Sequence, residues 1–180
     1  LARNFALRNA GLSRRDLNYA VQKTIDRILF LRICEDRDIE PYERLKNILA
    51  GGNIYSRLLE LFRRADDRYN SGLFHFGQER GRAEAPDTLT PTLALDDKVL
   101  AEIIGQLYYP ESPYEFSVWG AEVLGTVYEQ FLGNVIRLTP AHRAVVEQKP
   151  EVRKAGGVYY TPTYIVDYIV QHTVGELCKE

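Results

Sequence analysis

The feature that most constrains the fold is a helical apolar period near the N-terminus. Between Ser13 and Arg37, apolar residues recur at steps of three and four, the spacing that places them on one side of an α-helix. Ser13 is suited to cap the helix start, with Asp16 in the first turn. A helix this long needs partners to bury its apolar side. That side comprises Leu17, Val21, Ile25, Ile28, Leu29 and Ile33.

Two further helical segments follow. The first is predicted from Pro41 through Ala50, because proline suits the first helical position and Gly51-Gly52 suits a helix end. The second is predicted from about Ile54 to Tyr69. Together the three helices predict a small bundle over residues 1–70.

The remaining chain is predicted to be less regular. Residues 71–95 collect glycine and proline without a helical period, which predicts an irregular linker. Asp96 or Asp97 is suited to cap a helix through Leu107, and another helix is predicted from about Trp119 to Leu132. Alternating Val, Ile and Thr then predict a small β-hairpin near residues 135–160, so residues 96–155 form a helical connector with a hairpin. The predicted fold class is mainly α.

Composition excludes several classes of protein. The longest uninterrupted apolar run, residues 28–31, is far shorter than the roughly 20 residues of a membrane span. Cys34 and Cys178 fit neither a disulfide scaffold nor a zinc site, which favours a reducing, cytoplasmic setting. With 23 Lys and Arg against 25 Asp and Glu, the net charge of −2 does not mark a nucleic-acid binder. Any basic surface must therefore be local.

One such local surface is indicated across residues 136–155. Five basic and two acidic residues leave a local charge of +3, which fits either contact with DNA phosphates or a solvated surface. The candidate phosphate contacts are Arg143, Lys149, Arg153 and Lys154. Glu147 and Lys149 also match half of a Mg²⁺-dependent nuclease pattern, although a solvated strand or turn explains them as well.

Two other groups allow both a structural and a functional interpretation. The first long helix interleaves basic residues such as Arg27 and Arg32 with acidic ones, which favours a solvated face over contact with DNA. Aromatic residues could stack on bases, but packing at a helix junction is the commoner use. This aromatic group comprises Tyr108, Tyr109, Tyr114, Phe116 and Trp119.

The most informative segment is Gly-Gly-Val-Tyr-Tyr-Thr-Pro at residues 156–162, followed by an Ile- and Val-rich helical period. Thr161 is predicted as the N-cap of this helix and Pro162 as its first residue. A helix start presents unpaired N–H groups and a partial positive charge, so it can hold a carboxylate or phosphate. A capped helix that binds nothing is the alternative.

This segment resembles motif X of adenine-N6 DNA methyltransferases. Residues 20–37 and 127–133 in turn resemble the helical connector of type IIG restriction-modification enzymes and related phage-defence methyltransferases. The resemblance implies that Tyr159, Tyr160, Thr161 and Pro162 lie at the methionine end of S-adenosylmethionine. It implies that residues 156–180 begin a Rossmann-like methyltransferase domain, and that the parent protein methylates adenine in DNA. Mg²⁺ would be needed only by a nuclease fused upstream.

The family's Gly-rich cofactor loop and its Asn-Pro-Pro-Tyr type motif do not occur in these 180 residues. The absence of methionine and the start at Leu1 also suggest a piece of a longer protein. The chain is therefore expected to be catalytically inactive alone, to have DNA and the rest of its own methyltransferase domain as partners, and to expose an apolar stripe on its last helix. The alternative is a helical scaffold or protein-interaction module without catalytic function.

Overall fold

In the residues that the structure describes, the chain is mainly helical and carries one two-stranded antiparallel sheet. A computed structural model describes residues 1–69, 71–78, 85–120, 133–149 and 161–178. The described residues group into two compact units, the first drawn from 1–117 and 136–145, the second from 118–135 and 146–180. None of the described helices is long and apolar enough to cross a membrane. The domain limits drawn from the sequence stay predictions.

The first unit is built around the helix that the apolar period predicts. This helix, α2, spans Arg14–Asp36, and the Ser13 hydroxyl accepts a hydrogen bond from the Asp16 backbone N–H as its N-cap. Leu17, Val21 and Ile28 are buried as predicted. A short helix that the sequence did not predict, α1 at Ala2–Arg8, precedes α2 and buries Phe5 and Ala6. The predicted bundle is thus confirmed at its central element.

Two arginines of α2 lie inside the core and not on a solvated face. Arg27 and Arg32 are 1% and 3% exposed, so the expected solvated row of charges is wrong at these positions. Arg27 donates to Asp87 at 2.7 Å and to Thr90 at 3.0 Å. A buried guanidinium group is tolerated where oxygen atoms accept its hydrogen bonds. For Arg27, these acceptors come from distant segments of the chain. Neither arginine is available to DNA.

Arg32 organises the aromatic group. Its guanidinium donates to Asp36 and to the Leu107 carbonyl, and lies 4.3 Å from the Tyr108 ring centroid. Tyr108 and Phe116 are buried, which confirms the packing interpretation for these two residues. Tyr109 and Tyr114 are exposed. Of the helix predicted from Trp119 to Leu132, residues 121–132 lie outside the described part of the chain.

The segment after α2 departs from the prediction. A helix from Pro41 through Ala50 is wrong: the structure has only the short α3, Arg44–Asn47, preceded by a left-handed Glu43 at φ 61°. The buried Glu35 carboxylate provides a physical reason, because it accepts a hydrogen bond from the Leu45 backbone N–H at 2.6 Å and fixes the turn from outside. Pro41 lies before this turn and not within a helix.

The next helix, α4, spans Ile54–Tyr69 as predicted and buries Leu58, Phe62 and Ala65. Its N-terminus is capped by a residue distant in sequence, since Asp97 accepts hydrogen bonds from the Asn53 and Ile54 N–H groups, both at 2.8 Å. Asp97 is also the first residue of α5, which spans Asp97–Gly105. One carboxylate therefore joins the starts of two helices.

The described part of the predicted linker, residues 71–78 and 85–95, is irregular apart from one 3-10 turn at Thr90–Thr92, yet it contributes to the first unit's core. Phe74 is 0% exposed and packs against Phe30 and Phe62 with ring centroids 5.4 and 5.8 Å away. Asp87 is buried and accepts from Arg27. The described parts of residues 71–95 are thus packed structure within the first unit.

Candidate functional site

The start of the C-terminal helix carries the cofactor-binding prediction. Tyr159 and Tyr160 lie outside the described residues, whereas Thr161 and Pro162 are described and exposed. The helix, α6, spans Thr163–His172. Pro162 is its N-cap, with an extended ψ of 144°, and its carbonyl accepts the first helical hydrogen bonds. The helix thus begins one residue later than predicted, so Thr161 precedes the cap and its hydroxyl bonds to no described residue.

The side chains of α6 are exposed all round. Six large apolar or aromatic residues between positions 164 and 170 are 36% to 72% exposed, and no residue of α6 is buried. The following short helix, α7 at Val174–Leu177, exposes Val174 and Leu177 as well. An exposed apolar stripe on the last helical segment was predicted, and the structure confirms it. The six residues are Tyr164, Ile165, Val166, Tyr168, Ile169 and Val170.

The described part of the basic segment, residues 136–149, covers most of the β-hairpin. Strand β1 spans Asn134–Leu138 and strand β2 spans Ala144–Gln148. The connection of five residues, 139–143, suits its sequence: Pro140 is the second residue of the turn, and His142 takes a left-handed conformation at φ 55°. The Thr139 N–H donates to the Arg143 carbonyl at 2.9 Å, and the His142 N–H donates to the Thr139 carbonyl at 2.8 Å. These bonds fix the backbone that carries Arg143.

Asn18 on α2 holds the first strand of this hairpin. Its side-chain oxygen accepts from the Ile136 N–H at 2.7 Å, and its amide donates to the Ile136 carbonyl at 2.7 Å. Ile136 and Ala144 are buried in the first unit's core. Sequence reasoning missed Asn18, although a polar residue directly after a buried Leu17 on a long helix was a usable signal. The tip of the hairpin is therefore attached to the first unit by polar and apolar contacts.

The candidate phosphate contacts divide between the two units. Arg143 is exposed at the hairpin tip and forms no ion pair with a described residue. Lys149 follows β2 in the second unit and is half-buried, and its backbone N–H donates to the Gly133 carbonyl at 2.8 Å. Arg153 and Lys154 lie outside the described residues. Around Glu147, as elsewhere in the described chain, no three potential metal ligands cluster.

Two buried carboxylates in the first unit have pKa values shifted in opposite directions. Burial raises the pKa of Glu35, and the hydrogen bonds from Tyr108 and Leu45 offset only part of that effect. Burial also acts on Glu40, but the Tyr69 hydrogen bond and the charges of Arg44 and Arg68 outweigh it and lower the pKa of Glu40. Both groups hold α3 and α4 to the core, which is a structural and not a chemical use.

Comparison with known proteins gives one informative relationship. The chain is 36% identical over 179 residues to the type II restriction enzyme and methyltransferase RM.Eco57I of Escherichia coli. The alignment covers 99% of this chain and 17% of that protein, so the chain spans about one sixth of its curated relative's length. No protein-family model matches the chain. No solved structure matches it either.

Proposed function

Because the chain is related over nearly its whole length to a type II restriction enzyme and methyltransferase, we propose that it is a segment of a type IIG restriction-modification protein. The parent protein transfers a methyl group from S-adenosylmethionine to the exocyclic amine of adenine in DNA. This segment provides the helical connector and the first cofactor-binding element of the methyltransferase domain. The 36% identity across 99% of the chain is the observation that carries the proposal.

The cofactor-binding role is proposed for Tyr159, Tyr160, Thr161 and Pro162. The described part of this segment fits such a role, because Thr161 is exposed and its hydroxyl bonds to no described residue. The N-terminus of the ten-residue helix α6 follows it, and unpaired N–H groups at a helix start hold carboxylates such as that of a methionine moiety. S-adenosylmethionine, when bound, supplies the methyl group. Pro162 would orient the start of the helix, and the Thr161 hydroxyl would donate one hydrogen bond to the bound cofactor.

DNA is proposed as the substrate, with the backbone contacted by Arg143, Lys149, Arg153 and Lys154. Arg143 supports this role by its exposure and its lack of a carboxylate partner among the described residues. Contacts to phosphates position a protein on DNA without reading its sequence. The extruded target base would be held by parts of the parent protein that the family's Asn-Pro-Pro-Tyr type motif builds. Since that motif is absent from these 180 residues, the isolated chain should not transfer methyl groups.

The cofactor role is tested in the full-length parent enzyme with Thr161→Val. Loss of one hydrogen bond to the cofactor should raise the KM for S-adenosylmethionine about fivefold, since such a bond contributes about 1 kcal/mol. Incorporation of labelled methyl into DNA measures it. Thr173→Val is the matched control, because the Thr173 hydroxyl bonds to the Ile169 carbonyl on the same helical segment. Equal KM values for the two variants would contradict the assignment of Thr161.

The scaffold alternative makes a different prediction for the parent. A non-catalytic scaffold would leave adenine unmethylated in DNA incubated with the full-length protein and S-adenosylmethionine. Methylation at adenine N6 by the wild-type parent therefore separates the two functions. Methyl transfer by the isolated 180-residue chain would contradict the proposal that catalysis needs other parts of the parent, even if the parent is active.

A further inference from the structure

A cavity in the first unit lies between α1 and the tip of the hairpin. It encloses about 860 Å³ and is lined from α1 and the chain after it on one side and from the hairpin on the other. Its floor consists mainly of small or apolar side chains, including Ala6, Ala10 and Ala141. Small side chains allow another backbone to approach closely. The cavity is open to solvent and forms a groove.

The groove is lined by basic side chains without carboxylates. Arg3 and Arg143 line it, and no Asp or Glu does. Neither arginine forms an ion pair with a described residue, whereas Arg8 on the same helix α1 is paired with Asp96 at 2.7 Å. His142 also lines the groove, and its buried Nε2 has no hydrogen-bond partner in the described part of the chain. The groove is thus lined by the cations Arg3 and Arg143 and by the His142 Nε2 atom, none of which has a partner among the described side chains.

Both walls of the groove are held in place before any ligand arrives. On one side, the Asn4 side chain exchanges hydrogen bonds with Asp96, and the Asn9 side chain exchanges them with the Ala94 backbone. On the other side, Asn18 binds both backbone groups of Ile136. The backbone that carries Arg3 and Arg143 is thus already ordered, so less conformational freedom is lost on binding, which favours a rigid anionic partner.

We infer that this groove contacts the DNA backbone and that Arg3 acts there together with Arg143. The inference rests on the proposed function, which makes DNA the substrate, and it adds α1 to the contact surface. Phosphates supply the anionic charge that Arg3 and Arg143 complement, and a phosphate oxygen can accept from or bridge to the unpaired His142 nitrogen. Deoxyribose supplies an apolar edge for the alanines between them. The sequence attached no significance to Arg3, because it lies outside the basic segment at residues 136–155.

The experiment measures binding of the full-length parent to a short duplex by fluorescence anisotropy over a range of salt concentrations. Arg3→Glu should weaken binding equally for a specific and a scrambled duplex and make the slope of log K against log salt shallower by about 1. Arg3→Lys should keep the slope. Arg63→Glu is the matched control, because Arg63 is exposed on α4 and does not line the groove. Circular dichroism compares the folding of all three variants.

The outcomes separate the two proposals. If the wild-type parent binds DNA and Arg3→Glu behaves like Arg63→Glu, the inference about α1 is overturned while the proposed function stands. If the wild-type parent binds no DNA, the proposed function fails and this inference fails with it. If Arg3→Glu lowers the thermal unfolding midpoint of the parent but leaves DNA binding intact, Arg3 has a structural role and does not contact DNA, which also overturns the inference.

Discussion

Glu35 and Glu40 lie five residues apart, and both are buried, but they differ in what surrounds the carboxylate. Glu40 has cationic neighbours in Arg44 and Arg68 and accepts from Tyr69. Glu35 accepts from the neutral Tyr108 hydroxyl and a backbone N–H, and its ion pair with Arg32 is long at 3.9 Å. A carboxylate that gains stabilisation on folding has a lowered pKa, and one that is desolvated without enough compensation has a raised pKa.

These pKa shifts predict that the stability lost in Glu40→Gln and the stability lost in Glu35→Gln depend on pH in opposite directions. Because the pKa of Glu40 is lowered on folding, its contribution to stability is present above the unfolded-state pKa and is lost as pH falls. Glu40→Gln should therefore destabilise the chain by about 1 to 3 kcal/mol near neutral pH and by less in acid. The pKa of Glu35 is raised, so its contribution is full in acid and declines as pH rises.

The free energy of unfolding that Glu35→Gln removes, relative to wild type, should accordingly be smaller at neutral pH than in acid. Urea unfolding of both variants across this pH range measures the two trends. Glutamine keeps the size of each side chain and its ability to accept one hydrogen bond, so the two substitutions serve as controls for each other. Parallel pH profiles for the two variants would refute the assignment.

The sequence could not predict the buried charges residue by residue. Arg27 looked like one member of a mixed charged row, because its partners Asp87 and Thr90 are 60 and 63 positions away. Local spacing carries information about neighbours within one turn or two, whereas these pairs depend on the tertiary arrangement. Tyr108 and Phe116 were assigned correctly to packing, but the guanidinium of Arg32 that they surround was not foreseen.

At the scale of elements, prediction succeeded where the helix carried its own signals. The Ser13 cap and the apolar period defined α2, and α4 was bounded by the glycine pair before it and the loss of period after it. The helix predicted from Pro41 through Ala50 is wrong because Glu35, outside the segment, bonds to the Leu45 N–H, and Glu43, within it, takes a left-handed conformation. The hairpin was predicted from alternation, although its attachment through Asn18 was not.

The shared cap at Asp97 gives a prediction for two helices together. Asp97→Ala removes the acceptor for the Asn53 and Ile54 N–H groups, which lie at the start of α4. Loss of a cap costs about 0.5 to 2 kcal/mol, and urea unfolding followed by circular dichroism should show a loss in this range. Lys98→Ala, an exposed position one residue later, is the control. Equal free energies of unfolding for the two variants would show that the Asp97 cap does not stabilise the chain.

For the whole molecule, the burial of apolar residues is uneven. The first unit has a continuous core, whereas α6 exposes all of its large apolar side chains. Soluble monomers rarely leave large contiguous apolar patches uncovered. The proposed parent protein accounts for this, because a methyltransferase domain would cover this helix.

The uneven burial predicts which apolar substitutions the isolated chain tolerates. Ile169→Ser, at a residue 52% exposed, should leave the thermal unfolding midpoint nearly unchanged, since little surface changes its environment. Leu58→Ala, at a residue 0% exposed in α4, should cost about 2 to 5 kcal/mol. Differential scanning calorimetry measures both. A comparable loss in the two variants would mean that α6 is buried in solution.

The length of α2 has a geometric consequence. Asn18, which holds the hairpin, and Asp36, which accepts from the Phe116 N–H, lie on one uninterrupted helix. At about 1.5 Å and 100° per residue, the helix sets both the spacing and the angular phase of these two attachments. Inserting one residue between them would rotate one attachment by about 100° against the other. Inserting seven would nearly restore the phase while lengthening the rod by about 10 Å, so the two changes separate orientation from distance.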